Sequence, residues 1–244
     1  TNPKRKINTV FHPKRDELYN DVKSFNDNEE DYKIHGIPYK RNYLFYGPPG
    51  TGKTSMLCAL ASEFSADLYL VNFTSKITDS NFMRLVSKMP SGSIMVLEDV
   101  DALFIERVNN DVGNRSQVSF SAILNTLDGI SRKNKMVTVM TTNYKDRLDE
   151  ALIRPGRIDM VMEFPLASED QIREMFCSYF GSGEEALAIL KTIYKKTRNT
   201  QTSTAALQKY FFEHRTDVNL LIKNIDKLTD LISQYNKTVH NLYT

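Results

Sequence analysis

Residues 43–54 read Tyr43-Leu44-Phe45-Tyr46-Gly47-Pro48-Pro49-Gly50-Thr51-Gly52-Lys53-Thr54. The first four make a short buried strand, and Lys53–Phe64 behind them sets Met56, Leu57, Leu60, Ala61 and Phe64 on one helical face. Between the two, Gly47 to Thr54 fits GxxxxGK(S/T), in the strand–loop–helix setting that such a match requires. Glycines let the backbone curl so that successive N–H groups point at phosphate oxygens. The helix that begins near Gly52 turns its positive end to the same anion. Lys53 is then placed to reach the β- and γ-phosphates of a nucleotide, and Thr54 to offer its hydroxyl to Mg²⁺. A Gly/Pro turn that merely joins strand to helix is the bland alternative; the eight matching positions and both flanks argue against it.

Working outward, apolar runs alternate with helical patterns. Leu68–Phe73, Ile94–Leu97, Val137–Thr141 and Met160–Phe164 read as strands; Ser80–Met89 and Ser116–Leu127 read as helices. Strands alternating with helices imply crossover connections, hence an α/β fold with a parallel five-stranded sheet and helices on both faces. Runs without alternation fit strands buried on both sides. After Pro165 the pattern becomes helical throughout: Ser168–Tyr179, Glu184–Lys196, Ser203–His214 and Asp217–Tyr235, with Ser168, Ser203 and Asp217 as N-caps. The expected organisation is an N-terminal linker with a helix around Asp16–Phe25 (1–42), an α/β core (43–165) and a small all-helical unit (166–244). Asn26–Asp31 reads as a solvated acidic segment, and Gly36-Ile37-Pro38 punctuates the chain ahead of the first strand.

Three further signals carry chemistry. Ile94-Met95-Val96-Leu97 runs into Glu98-Asp99-Val100-Asp101, about 45 residues after the glycine-rich loop. A buried strand that ends in two acids delivers them to the carboxyl edge of the sheet, where ligands bind in open α/β folds. One acid can hold the Mg²⁺ shell while its neighbour, pointing the other way, polarises an attacking water. Met140-Thr141-Thr142-Asn143 is a strand ending in polar residues, and Asn143 is placed to orient water against the γ-phosphate. Finally, Leu148-Asp-Glu-Ala-Leu-Ile-Arg154-Pro-Gly-Arg157-Ile-Asp159 sets two arginines around a rigid Pro-Gly corner. A projecting guanidinium stabilises charge that develops on a transferring phosphoryl group.

Composition narrows the classes. Hydrophobic residues make up 41% and charged residues 25% of 244, enough for a sizeable core without staples. Lys plus Arg is 32 against 30 for Asp plus Glu, a net charge of +2, so no strong non-specific attraction to nucleic acid is expected. The run of apolar residues that a membrane span needs is missing from the sequence. The opening TNPKRKINTVFHPKRDEL has basic residues without an apolar stretch behind them and does not read as a secretory leader. It begins on Thr1, as a trimmed piece of a longer chain would. Cys58 and Cys177, in no metal or redox pattern, read as packing residues of a reducing compartment. The glycosylation tripeptides at Asn72, Asn114 and Asn236 read as chance matches.

Taken together, these motifs resemble the AAA ATPases: GPPGTGKT, the strand with paired acids, TTN and LDEALIRPGRID stand in order for the P-loop, Walker B, sensor 1 and second region of homology. Within them, GIPYKRNYLFYGPPGTGKTS, LEDVDALF, FSAILNTLDGI, TTNYKDRLDEALIRPGRIDM and the later STAALQKYF resemble one subfamily. It comprises the mitochondrial respiratory complex III assembly chaperones, which move the folded Rieske iron–sulfur protein across the inner membrane, with their soluble relatives. The resemblance implies ATP and Mg²⁺ as cofactors. ATP would be held by Gly47, Pro48, Pro49, Gly50, Thr51, Gly52, Lys53, Thr54 and Ser55, and the metal by Thr54 and Glu98. The catalytic set would be Asp99, Glu98, Asn143, Arg154 and Arg157, with Arg154 and Arg157 reaching into a neighbouring subunit. A homo-oligomeric ring of six or seven subunits acting on a protein partner is the implied assembly.

Two departures qualify this. Most AAA proteins have Asp then Glu at Walker B. Here Glu98 precedes Asp99, so by position Glu98 serves Mg²⁺ and Asp99 activates water, with the reverse assignment left open. The loop Asn72–Asp79 lacks the aromatic-Gly pair with which threading unfoldases grip extended chains; Phe73 and Ile77 are expected to face the core. A nucleic-acid machine such as a helicase loader or clamp-loader-like ATPase is the rival, with Lys4-Arg5-Lys6 and Lys195–Arg198 as phosphate contacts. A nucleotide switch with little turnover is a third reading, opposed by the intact acids and arginines. The expected location is the cytoplasm, with the mitochondrial inner membrane admitted only if an upstream membrane helix precedes this chain.

Overall fold

The computed structural model describes residues 4–73, 77–101, 118–128, 135–197 and 202–241. The chain forms two compact units. One takes Thr1–Val10, Lys14–Gly47 and Lys53–Glu163; the other takes Phe11–Pro13, Pro48–Gly52 and Phe164–Thr244. The helix start at residues 116–117, the tripeptide at Asn114, the loop centre 74–76 and Arg198 lie outside the described residues.

The first unit is built on a five-stranded sheet: β1 (Lys40–Tyr46), β2 (Leu68–Val71), β3 (Ile94–Leu97), β4 (Met136–Thr142) and β5 (Met160–Glu163). Every pairing is parallel and the order is β2-β3-β4-β1-β5. All residues of β3 and β4 are buried, which accounts for their unbroken apolar or β-branched runs. The register sets Tyr46 beside Thr142 and Leu97 beside Met140. The carboxyl ends of β1, β4 and β3 therefore come together at one edge.

Helix α1 (Arg15–Asp27) buries Leu18, Val22 and Phe25, one face at i, i+4 and i+7. The short α2 (Glu29–Ile34) comes next, so part of the acidic run is an exposed helix. Phe25, Tyr32 and Tyr39 pack as an aromatic cluster with centroids 4.7–5.6 Å apart. The linker segment thus folds onto the α/β unit. Crossover helix α3 (Lys53–Glu63) buries Met56, Leu57, Ala59, Leu60 and Ala61. Helix α4 (Asp79–Lys88) is capped by the Thr78 side chain, which accepts from the Asn81 amide. Then come α5 (Phe120–Asp128) and the single-turn α6 (Glu150–Ile153), capped by Asp149. Phe73 is buried and packs on Phe82, with Ile77 against the same cluster; both face the core, as the sequence suggested.

Strand β1 starts three residues before the Tyr43 expected from the sequence. Lys40, Arg41 and Asn42 pair with Met136, Val137 and Thr138. Their polarity hides a strand because the Lys40 and Asn42 side chains act as fasteners, bonded to carbonyls more than 80 positions along the chain.

The second unit is all-helical: α7 (Glu169–Phe180), α8 (Glu184–Thr197), α9 (Thr204–Glu213), α10 (Asn219–Lys223) and α11 (Ile225–Asn241). Ser168 and Gln171 form a reciprocal capping box, and Ser203 accepts from the Ala206 amide. Phe176, Ile193, Leu207, Tyr210 and Phe211 centre its core. The single helix expected over Asp217–Tyr235 is two. The Tyr210 hydroxyl donates to the Leu221 carbonyl at 2.5 Å, taking the acceptor that a continuous helix would offer to residue 225. Asn224, at the break, meets His214 Nε2 at 3.1 Å. Asp217 accepts from the Asn219 amide, one position before the cap. Tyr210→Phe leaves that buried carbonyl unpaired and is expected to lower stability by about 1–3 kcal/mol. Chemical denaturation should show an earlier midpoint at unchanged slope.

Candidate active site

The loop after β1 begins with Gly47, whose amide donates to the Thr142 carbonyl at 3.2 Å and so ties loop to β4. Lys53 opens α3 and is almost entirely buried. Its ammonium donates to the Gly47 carbonyl and, at 2.9 Å, to Asn143 Oδ1. Burial depresses the Lys53 pKa to about 8, against the opposing pull of Asp99 and Asp101. A cation held in so poor a solvent is a strong anion site. Thr54 is exposed one residue on. The structure therefore brings Lys53 and Asn143 into contact, with the acids near enough to act on the lysine.

At the end of β3, the Glu98 amide donates to the Val71 carbonyl at 3.3 Å, keeping the strand regular up to that residue. Asp99 then takes a left-handed φ of 46°, where Asp is one of the few tolerated side chains. Its amide donates to Thr141 Oγ1 at 3.2 Å. The Asp99 carboxyl has a raised pKa, first because surrounding protein strips its water and then because Asp101 is nearby, with Lys53 opposing. The sequence motif contains Asp101 but assigns it no task. It is buried and accepts from Thr142 Oγ1 at 2.6 Å. The Thr142 hydroxyl in turn accepts from the Tyr144 amide at 2.9 Å. Asp101 thus braces the β4 terminus on which Asn143 sits; the D-x-D spacing of Asp99 and Asp101 was the available signal.

Loop residues 48–52 group with the helical unit. Thr51 Oγ1 donates to the Pro48 carbonyl at 2.7 Å. The Gly50 carbonyl accepts from the Ala205 amide at 2.9 Å and from Thr204 Oγ1 at 3.1 Å, and Tyr235 donates to the Pro49 carbonyl. Gly50 has φ +70°, and a Cβ there would stand 3.1 Å from the Tyr235 ring and 3.4 Å from Ala205, so a side chain would be both strained and crowded. Among the described residues, the amides of Gly50, Thr51 and Gly52 donate to no protein acceptor. Unpaired amides on a curled backbone, ahead of a buried ammonium, are the donor set of a phosphate cradle. The residues present fit a nucleotide. They also fit a divalent cation of the phosphate-bridged kind. Among the described residues no three acidic, His or Cys side chains cluster as a metal cage, and such a cation needs only one or two protein carboxylates or a hydroxyl beside the phosphates.

The two arginines differ. Arg154 is exposed, and its guanidinium makes no hydrogen bond or ion pair among the described residues. Arg157 forks onto Asp128, with Nε and one Nη at 2.8 and 3.0 Å from the two carboxylate oxygens, and gives its other Nη to the Ala151 carbonyl at 2.8 Å. The structure thus brings Lys53 and Asn143 into contact, with Asp99 and Asp101 acting on the lysine, and leaves Arg154 exposed on its turn.

Against known proteins, residues 43–166 match the profile described as "ATPase family associated with various cellular activities (AAA)". This chain belongs to the AAA family. Residues 169–227 match "Mitochondrial chaperone BCS1-like, ATPase lid domain", so an AAA core is followed by a BCS1-like lid. The chain is 40% identical over 201 residues to the probable mitochondrial chaperone bcs1 of Schizosaccharomyces pombe, covering 82% of this chain and 44% of that protein. It is 38% identical over 219 residues to human mitochondrial chaperone BCS1, covering 87% and 52%. Against the probable mitochondrial chaperone BCS1-B of Dictyostelium discoideum it is 33% identical over 257 residues, covering 92% and 55%. The AAA chain spans about half the length of these curated relatives. No helix among its described residues is long and apolar enough to cross a membrane.

Proposed function

We propose that this chain is the Mg²⁺-dependent ATP-hydrolysing part of a homo-oligomeric ring, of six or seven subunits, that remodels or moves a protein partner. The observation that carries the ATPase reading is the contact of Lys53 with Asn143 at 2.9 Å, within electrostatic reach of Asp99. It joins the phosphate-binding lysine, a water-orienting amide and the acids at one sheet edge. Residues 43–165 serve as catalytic core and 166–244 as lid. The loop Gly47–Gly52 cradles phosphates with Lys53, Thr54 and Ser55. Thr54 and Glu98 would hold Mg²⁺, which when bound neutralises charge on the phosphate oxygens. Asp99 takes the proton of the attacking water or orients it, Asn143 positions that water, and Arg154 serves the adjoining subunit's site.

The protein-remodelling half of the proposal rests on the BCS1 relatives, whose names make them chaperones. Those names also place them in mitochondria, against the cytoplasm expected from the sequence; a mitochondrial setting is the one they favour. The BCS1-like lid and the chaperone relatives count against the nucleic-acid reading. That rival predicts ATPase stimulation by DNA or RNA that fades as salt rises; no stimulation at low salt is expected.

Lys53→Ala tests the site. Removing a buried cation from a cradle otherwise made of neutral amides is expected to weaken ATP affinity at least about tenfold, roughly 1.4 kcal/mol or more. Titration with a fluorescent ATP analogue reads it, and wild-type affinity in a folded variant would sink the assignment.

A further inference from the structure

Strand β1 fastens the arginine-bearing turn at four points. Lys40 Nζ donates to the Gly156 carbonyl at 2.9 Å and also to the Leu127 carbonyl. The Asn42 side-chain amide, 1% exposed, donates to the Arg157 carbonyl at 2.6 Å and to the Leu127 carbonyl at 3.0 Å. The Asn42 backbone amide donates to Asp159 Oδ2 at 2.7 Å, and its carbonyl accepts from the Asp159 amide at 2.9 Å. So directed is the Asn42 side chain toward the two carbonyls that its own oxygen is buried with no partner among the described residues. The Asp128 carboxylate closes the set by gripping Arg157 from the end of α5.

A bidentate guanidinium–carboxylate pair is strong and geometrically specific. To reach a phosphoryl group elsewhere, Arg157 would have to abandon both Asp128 oxygens and the Ala151 carbonyl. It would leave Asp128 with only the weaker pull of Lys40, although the Arg157 pairing now holds that carboxyl below the usual carboxylate range. Arg154, three residues away, has no such commitment. Its carbonyl accepts the Arg157 amide at 3.0 Å, so wherever Arg157 is held, the turn that aims Arg154 is held as well.

We propose that Arg157 is a positioning residue, clamped by Asp128 within its own subunit to aim the Arg154 turn, and not a second group that enters the neighbouring site. This rests on the reading of Arg154 as the trans-acting arginine.

Asp128→Asn is the deciding variant, because it keeps shape and frees Arg157. A misaimed Arg154 is expected to lower kcat about ten- to hundredfold, with the variant's own ATP affinity, assembly and thermal midpoint near wild type. The exchange Arg157→Asp with Asp128→Arg restores the pair in reverse and should recover most of that loss. An arginine that worked in trans from position 157 could not be recovered by placing a carboxylate there. Wild-type or higher kcat in Asp128→Asn overturns the proposal. So does a folded exchange variant as inactive as Arg157→Ala. Should the exchange not fold, Asp128→Asn alone decides. Arg154→Ala distinguishes the underlying reading: if it hydrolyses ATP at the wild-type rate, no trans arginine exists to be aimed. If it is inactive while Asp128→Asn is fully active, only the clamp fails.

Discussion

Arg154→Ala is expected to bind ATP normally and to lose at least about a thousandfold in hydrolysis, the low end of what such arginines contribute. Its own site is untouched: Lys53 is held by Gly47 and Asn143, and the Asp99 amide by Thr141, none of them through Arg154. On the proposed reading the lost group is an always-charged donor that would meet charge building up on the transferring phosphoryl. Arg157 gives no reserve, since its fork is spent on Asp128. Single-turnover hydrolysis beside equilibrium nucleotide binding separates the two quantities. Mixing gives the sharper test. Rings co-assembled from Arg154→Ala and Asp99→Asn subunits contain junctions where intact acids meet an intact arginine, so two dead variants should regain part of the activity if neighbours fire independently. Doping wild type with Arg154→Ala alone reads the coupling: a fall in proportion to the wild-type fraction means independent sites, and a steeper fall means concerted ones. Full-rate hydrolysis by a highly diluted monomer would remove both ring and trans arginine.

Asp99→Asn is expected to trap ATP, with hydrolysis down about a hundred- to ten-thousandfold and affinity nearly kept. The amide has the shape of the carboxylate and cannot take a proton. The left-handed turn at Asp99 and the hydrogen bond its amide donates to Thr141 Oγ1 fix where the side chain leaves the strand. Its raised pKa makes it a better base than a solvated carboxylate. Quenched-flow hydrolysis with nucleotide-retention measurements distinguishes trapping from lost binding. If Glu98→Gln traps ATP while Asp99→Asn chiefly loses Mg²⁺ affinity, the two carboxylates have exchanged tasks.

The parts of this molecule legible from its sequence are those in which one local rule dominates. Ile94–Leu97 is apolar throughout because both faces of β3 are covered, and Ser168 and Ser203 cap helices where capping chemistry places them. The glycine-rich loop is legible for the same reason: Gly47, Gly50 and Gly52 take φ of 135°, 70° and 104°, which glycine adopts without strain. What was missed depends on partners distant in sequence. Lys40–Asn42 look like linker because their acceptors, Leu127, Gly156, Arg157 and Asp159, lie 85 to 117 positions on. The break at Asn224 needs the Tyr210 hydroxyl, and Asp101 and Asp128 gain their tasks only when β4 and the arginine turn are folded beside them. Asp128 sits in a helix whose buried residues are mostly apolar, and no spacing rule links it to Arg157.

Strand β1 has a mechanical meaning that neither of its ends shows alone. It is seven residues long, about 20 Å at ~3.3 Å per residue, and lies inside the sheet between β4 and β5. From its carboxyl end hangs the loop that grips this subunit's own nucleotide. To its amino end, through Lys40 and Asn42, is bolted the turn proposed to serve the next one. In the proposed ring, β1 is a stiff strut with one subunit's phosphate cradle at one end and the tool for its neighbour at the other. A hydrogen-bonded strand resists stretching, so in that ring a push on Gly47 at one end of β1 would be felt at Lys40 and Asn42 at the other. A ring of such struts would pass strain from site to site as a loaded truss does. The steep doping curve of a concerted machine is the response such a truss would give.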